Sequence, residues 1–566
     1  MTIDVDRYAI DPITLEVVRN KLQGITDEMQ MTQVNASFST AVKEAYDAAA
    51  SLFLTDGTPL AQSASIPFHV GNMVPAVREI LATYPVSGMR EGDIYLLNDP
   101  YHGGSHMPDI ILCLPVFHED RPVALSCTVV HHNDVGGMSP GSLPPNATEI
   151  FQEGLRIPPM IYRRDGVIND TLHRLMLLNS RTPEALEGDL NSQIGACTIG
   201  VRRLKELAND LGGNMLGTLF TQIIDRSETM TRAELRRIPW GTYRFTDWLD
   251  NDGVELDKQV RIEMAVTISD GDIHFDFTGT SPQTKGPINA VPSAAHAAAY
   301  YVVRVLTDST IPNNGGCFRP IRMTLPEGSL VNPRAPASVN ARTGTTKRIA
   351  SAMLSALAPA MPDRATAQFA GVTLVCRYSG VDDAGARFVV GDHFVGGSGA
   401  SRQSDGVDVL ATDIGNTWSL PVESIELDTP VRVLEQSIRE DSGGAGTYRG
   451  GNGLVREFEV LCETMTFMHR GERHFIAAQG LEGGQPGALE VSTVIRTDGT
   501  REQIPSKATV QLRRGDRVRI ETPGGGGWGP PAGRSAEALA DDITDGKLTP
   551  DGAMAAYGHT ATGGPA

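Results

Sequence analysis

Behind Asp11-Pro12, apolar residues recur at spacings of three and four: Leu15, Val18, Leu22, Ile25 and Met29. This period predicts one face of an amphipathic helix. Asp11 serves as its cap and Pro12 opens its first turn. A second helical stretch is expected before Glu44. Residues 48–54 then read as a strand, which Asp56-Gly57 turns back into 59–62. A helical pattern returns at 74–82. Two apolar runs follow, 109–118 and 122–130, rich in Ile, Val, Leu and Cys. They suit buried strands, and Pro115 places the first at a sheet edge.

The rest of the chain alternates in the same way. A long helix is predicted over 183–211, with Leu186, Leu190, Ile194, Cys197, Val201, Leu204 and Leu207 inward. Gly212-Gly213 stops it, and a further helix covers about 214–236. Strands are expected at 242–249, 260–269 and 273–277, and helices at 293–307 and 347–357. From Val431 onward, glycine-rich stretches alternate with short β runs such as 454–460 and 509–512. The expected fold class is α+β and multidomain. An N-terminal α/β region spans 1–240 and a central α+β region 241–430. A β-rich region at 431–530 carries glycine clusters that read as tight turns, and 531–566 is a loosely packed tail.

Composition narrows the possible partners. The 566 residues are too many for one core. A net charge of −19 argues against nucleic acid, whose phosphates attract Lys and Arg. It fits an acidic cytoplasmic enzyme. No apolar run reaches the ~20 residues that span a bilayer, and the first residues show no signal-peptide core. Six widely spaced cysteines contain no C-x-x-C, so buried thiols are expected rather than a disulfide framework or a thiolate zinc site. G-x-x-x-x-G-K-[ST] is absent, so this chain is not expected to bind ATP by itself.

The chemistry gathers between Asp93 and Gly137, where Asp99, His102, His106, Asp109, His131, His132 and Asp134 flank the two apolar runs. With a three-residue loop at 119–121, His118 faces Pro122, and counting back sets Asp109 opposite His131. Opposed residues of an antiparallel pair have Cβ atoms ~5 Å apart, close enough to share an ion. His106 lies three residues before Asp109 on a glycine-loosened approach. Imidazole and carboxylate ligands suit Zn, Mn or Fe(II), and a water on such an ion ionises near pH ~7. The competing reading is that these groups cap loops and strand ends. Gly137-Met138-Ser139-Pro140-Gly141 matches G-x-S-x-G. It fails as a nucleophile elbow because Pro140 has no N–H for an oxyanion hole.

The run of motifs NDPYHGGSHMPDI, HHNDVGGMSPGS, EGLRIPP, LNSRTPEALEGDLNSQ, DFTGTSPQTKGPINA, DSGGAGTYRGGNG and TPGGGGWG resembles the hydantoinase B family. That family includes the B subunits of N-methylhydantoinase and 5-oxoprolinase and is related to acetone carboxylase α subunits. The resemblance implies a hetero-oligomer with a hydantoinase A-like subunit that binds ATP and phosphorylates a small-molecule substrate. It also implies a divalent metal (Zn or Mn, or else Fe) on Asp47, His106, Asp109 and His131. Asp99, His132 and Asp134 are the candidate catalytic groups around it, with His69 nearby. The implied reaction is ATP-dependent opening of a hydantoin, 5-oxoproline or lactam ring. A ketone carboxylase subunit and a non-catalytic scaffold for the ATPase are the alternatives. One departure from the family pattern is Ala477-Ala478-Gln479, where a proline- and aromatic-rich segment is usual.

Overall fold

A computed structural model describes residues 11–558. The expected first helix is Pro12–Ala36, and the Asp11 carboxylate accepts the Thr14 N–H at 3.2 Å. Its buried residues include all five of the apolar positions read from the pattern. The N-terminal sheet has seven strands, in the order Pro59–Gln62, Ala48–Phe53, Arg121–His131, Asp109–His118, Ile94–Leu97, Met160–Arg164, Val167–Ile168. Every neighbouring pair is antiparallel. The region is therefore α+β rather than α/β.

Alternation along the strands divides the core of this sheet. Ala50 and Leu52 pack with helices Pro12–Ala36, Pro183–Leu211 and Gly213–Leu235, while Ala49, Phe53, Leu97 and Ile111 face helix Pro67–Thr83. Pro115 is tolerated because strand Ile94–Leu97 pairs only as far as Cys113. Strand Asp109–His118 is interior to the sheet rather than at its edge, and Pro115, still paired with Leu125 on one side, lies past the last paired residue on the other.

A second sheet holds Gly241–Leu249, Val260–Ser269, Asp272–Asp276 and Ile321–Thr324. It packs under helices Pro292–Leu306 and Arg342–Leu357. Gly71 of helix Pro67–Thr83 lies against Ala297, where a Cβ would come within 2.4 Å of the Ala297 methyl. That close approach brings the start of helix Arg342–Leu357 to the edge of the first sheet. Two further sheets share one core: Arg387–Val395, Thr373–Val381, Thr464–Arg470 and Lys507–Arg513 in one, and Val431–Ile438, Leu454–Val460, Arg517–Glu521, Val491–Ile495 and Arg501–Gln503 in the other. Helix prediction located Pro292–Leu306 to within one residue but started the last turn-rich helix at Lys347, five residues after Arg342.

The glycine clusters of the C-terminal part are not tight turns. Gly525 donates to Gly451 O at 2.9 Å and Gly450 donates to Gly444 O at 2.9 Å. A Cβ on Gly525 would sit 1.9 Å from Ser398 O. Extended segments press together here, and only a missing side chain permits it.

The described part of the expected tail, up to residue 558, is docked. Helices Ala536–Thr544 and Pro550–Tyr557 follow Arg534, whose buried guanidinium reaches Asp405 at 2.8 Å and also binds Asp542. Breaking a buried pair strands its partners. Arg534→Ala should lower stability by about 3 kcal/mol and open the C-terminal helices to limited proteolysis. A wild-type digestion pattern would contradict this. Among the described residues no helix is long and apolar enough to cross a membrane, and all six cysteines are buried and free.

Candidate metal centre

The hairpin that carries the site reaches its register by an unexpected route. The turn is two residues, Glu119-Asp120, both with positive φ, so His118 pairs with Arg121. A bulge between Val116 and Phe117 then restores the one-residue offset. Asp109 ends opposite His131, as the three-residue loop had also implied.

His106, Asp109 and His131 converge. His106 Nε2 lies 2.9 Å from Asp109 Oδ1, His131 Nδ1 lies 3.1 Å from the same oxygen, and the two nitrogens are 3.1 Å apart. Bonds of about 2.0–2.1 Å to a tetrahedral ion put ligand atoms about 3.3 Å apart, so the triangle is close to the face of a coordination polyhedron. His106 Nδ1 faces Asn340 Oδ1 at 3.1 Å. That hydrogen bond fixes the proton on Nδ1 and leaves the Nε2 lone pair pointing inward. Burial, reinforced by the Arg342 charge, pushes His106 down to about 3, so it is neutral, as a metal ligand must be. Burial alone would raise Asp109, but the imidazoles around it hold it well below the usual carboxylate range. The donor set therefore fits a divalent ion of the zinc or manganese kind.

Asp47 comes to the same cavity from the first hairpin and is held by His69, whose Nε2 is 2.6 Å from Asp47 Oδ1. Burial would lower His69, yet Asp109 and Asp47 raise it. The ring stands between two carboxylates, with its Nδ1 3.8 Å from Asp109 Oδ2. Asp47 falls below its ordinary range despite burial, through His131 and His69. A bound ion would take Asp47 as its further carboxylate only by competing with His69.

The three candidate catalytic groups are not brought to this cavity. Asp99 meets His102 at 2.8 Å and Arg156 at 3.1 Å and accepts the Tyr101 N–H. His132 Nε2 is tied to Gln193 Oε1 at 3.0 Å. Asp134 accepts from the backbone N–H groups of Gly136, Gly141 and Arg181 and from the Arg181 guanidinium. Each shapes the loops that carry the ligands. His132, the first residue past strand Arg121–His131, points away to Gln193 of helix Pro183–Leu211.

Other groups enter from distant parts of the chain. Arg342 Nη2 donates to Asp109 Oδ2 and to Ser105 Oγ, each at 2.9 Å, and its guanidinium stacks 3.9 Å from the Phe68 ring centre. Arg377 Nη2 lies 3.0 Å from His131 Nε2. Lys347, His393 and Arg470 line the cavity with Asp47, His69, His106 and His131. Burial lowers Lys347 to about 8, Arg470 to about 9 and His393 to about 3. Asn340 and Arg342 both come from the polar stretch 340–344 that leads into helix Arg342–Leu357. Lys347, Arg377, His393 and Arg470 lie more than 200 residues along the chain from the His106–His131 cluster, so no local spacing links them to it.

The family model described as hydantoinase B/oxoprolinase matches residues 11–531. The chain is 32% identical over 565 residues to the caprolactamase subunit beta of Pseudomonas jessenii, covering 98% of this chain and 97% of that one. It is 31% identical over 528 residues to the 5-oxoprolinase of Dictyostelium discoideum, covering 92% of this chain but 40% of that longer protein. Among solved structures, the ATP-dependent caprolactamase from Pseudomonas jessenii superposes with a TM-score of 0.91 at 30% identity, over 98% of this chain and 97% of that one. A nucleotide-free acetone carboxylase chain shares the fold, with a TM-score of 0.90 at 21% identity, over 97% of this chain and 79% of that one.

Proposed function

The chain belongs to the hydantoinase B/oxoprolinase family, and from that premise we propose that it is the B subunit of an ATP-dependent cyclic amide hydrolase. The observation that carries the proposal is the ligand triangle of His106, Asp109 and His131 at the wall of a cavity rich in cationic side chains. The chain as a whole is acidic, yet Arg342, Lys347 and Arg470 all face this space. Such a lining suits an anionic substrate, namely a ring amide whose oxygen a hydantoinase A-like partner has phosphorylated with ATP.

A divalent ion on His106, Asp109 and His131, with Asp47 at hand, would supply a strongly ionised water at neutral pH. The protein groups do the rest. Arg470 and Arg342 hold the phosphoryl charge. Lys347, lowered by burial to about 8, is matched to give its proton to the ring nitrogen as the C–N bond opens. His69 holds the Asp47 carboxylate in place at 2.6 Å.

The test is turnover of the chain assembled with its ATP-binding partner. ATP consumption on hydantoin, 5-oxoproline or a lactam without bicarbonate is expected. A strict need for bicarbonate with a ketone would replace this reading by a carboxylase. Full activity of a metal-free complex would leave the chain a scaffold.

A further inference from the structure

A second group of ligand-type side chains lies outside the cavity. His469 is the penultimate residue of strand Thr464–Arg470, His474 follows on the next loop, and Glu490 immediately precedes strand Val491–Ile495. His469 and Arg470 are successive strand residues and take opposite faces. Arg470 looks into the catalytic cavity while His469 looks between the two C-terminal sheets.

The geometry is convergent. His469 Nε2 is 3.1 Å and His474 Nε2 3.8 Å from Glu490 Oε1, which bracket the edge of about 3.3 Å expected between ligands of one tetrahedral ion. The imidazole planes stand at 90° with centres 5.7 Å apart. Ser492 Oγ completes the ring of polar atoms, 3.0 Å from His469 Nε2.

This cluster is under-satisfied as it stands. Glu490 Oε2, His469 Nδ1 and both ring nitrogens of His474 have no hydrogen-bond partner, although Glu490 and His469 are fully buried. Buried polar atoms are rarely left so. Gly471 makes room for the carboxylate, since a Cβ there would meet Glu490 Oε2 at 2.6 Å. Asp250 accepts the His474 backbone N–H at 2.7 Å and so fixes the loop that carries this imidazole. Burial, with Asp250 and Glu472 adding like charge, raises Glu490 to about 7, and burial keeps His469 neutral by lowering it to about 4.

We propose that His469, His474 and Glu490 form a second metal site for a divalent cation of the zinc type. The cation bridges the two C-terminal sheets and fixes the strand end that carries Arg470. Two His and one Glu are a donor set that zinc accepts, with Ser492 or a water at the fourth position. The proposal is independent of the reaction assigned to the cavity.

Metal-stripped full-length protein, titrated with Co(II) and followed by its visible absorption, tests it. Wild type should take up two equivalents per chain, Asp109→Asn one, Glu490→Gln one and the double variant none. Loss of Glu490 should weaken its site by more than the about 10–100-fold that removal of an outer hydrogen-bond partner costs. If Glu490→Gln does not fold, His474→Ala, on a half-buried loop position, is measured in its place. A wild type that binds one equivalent, lost in Asp109→Asn, overturns the proposal. So does a Glu490→Gln or His474→Ala protein that keeps both.

Discussion

Asp109→Asn should abolish turnover of the assembled enzyme by about 10³-fold or more. The carboxylate supplies Oδ1 to the ligand triangle and Oδ2 to Ser105 and Arg342. Asparagine keeps the shape, so the loop and the strand pairing survive. It removes the negative charge on which three neighbours depend. His69 loses one of its two carboxylates, Arg342 loses its counter-charge, and the cluster loses its anionic ligand. Charge stabilisation by a bound ion is worth several kcal/mol, and about 4 kcal/mol corresponds to 10³ in rate. The measurement is kcat with ATP and a lactam, beside metal content. A variant that retains wild-type kcat would remove the site from the chemistry altogether.

Arg342→Ala should carry the second large effect, this time on stability as well as rate. The side chain is buried and makes three contacts that hold each other in place: an ion pair to Asp109, a bond to Ser105, and stacking on Phe68. Truncation leaves Asp109 buried against fewer donors. Breaking a buried pair from one side costs about 3–5 kcal/mol, a large part of the 5–15 kcal/mol that holds a typical domain together (about 5–15 kcal/mol). Activity should fall about 10–100-fold, the range for partners that orient metal ligands. Arg342→Lys should recover little of either, because an ammonium neither stacks flat on Phe68 nor forks to two acceptors. Denaturant unfolding and kcat together check this. A lysine variant equal to wild type would reduce Arg342 to a point charge.

The hairpin shows how a correct pairing came from an incorrect premise. Strands Asp109–His118 and Arg121–His131 are continuous apolar runs buried on both faces, so their pattern does not choose between registers, although a slip by one residue would invert both strands. The tight turn alone would have produced that slip. The bulge at Val116 and Phe117 absorbs it. The register of this hairpin is thus set by the turn and the bulge together.

Among the candidate site residues, His106, Asp109 and His131 lie within 25 residues of one another, and their convergence follows from strand register and one short loop. Asp47 came from the motif resemblance and proves to share the cavity with His69. Asp99, His132 and Asp134 carry the same chemistry in the same stretch, yet their side chains are turned to loops and a helix. Residue type and proximity in the chain do not tell inward from outward on an irregular segment.

What the sequence determined by itself was local: helix faces, the alternating strands, the Asp109–His131 pairing and the motif order that resembles the family. These depend on periodicity and on contacts closed by a single turn. The tertiary structure decided the rest. Arg342 reaches Asp109 across 233 residues and Arg377 reaches His131 across 246. The packing of separate sheets brings these residues together, and no local period of apolar residues records which strand will lie against which. The cationic wall of the cavity is therefore a property of the fold, while the cluster of His106, Asp109 and His131 beside it was legible in the chain.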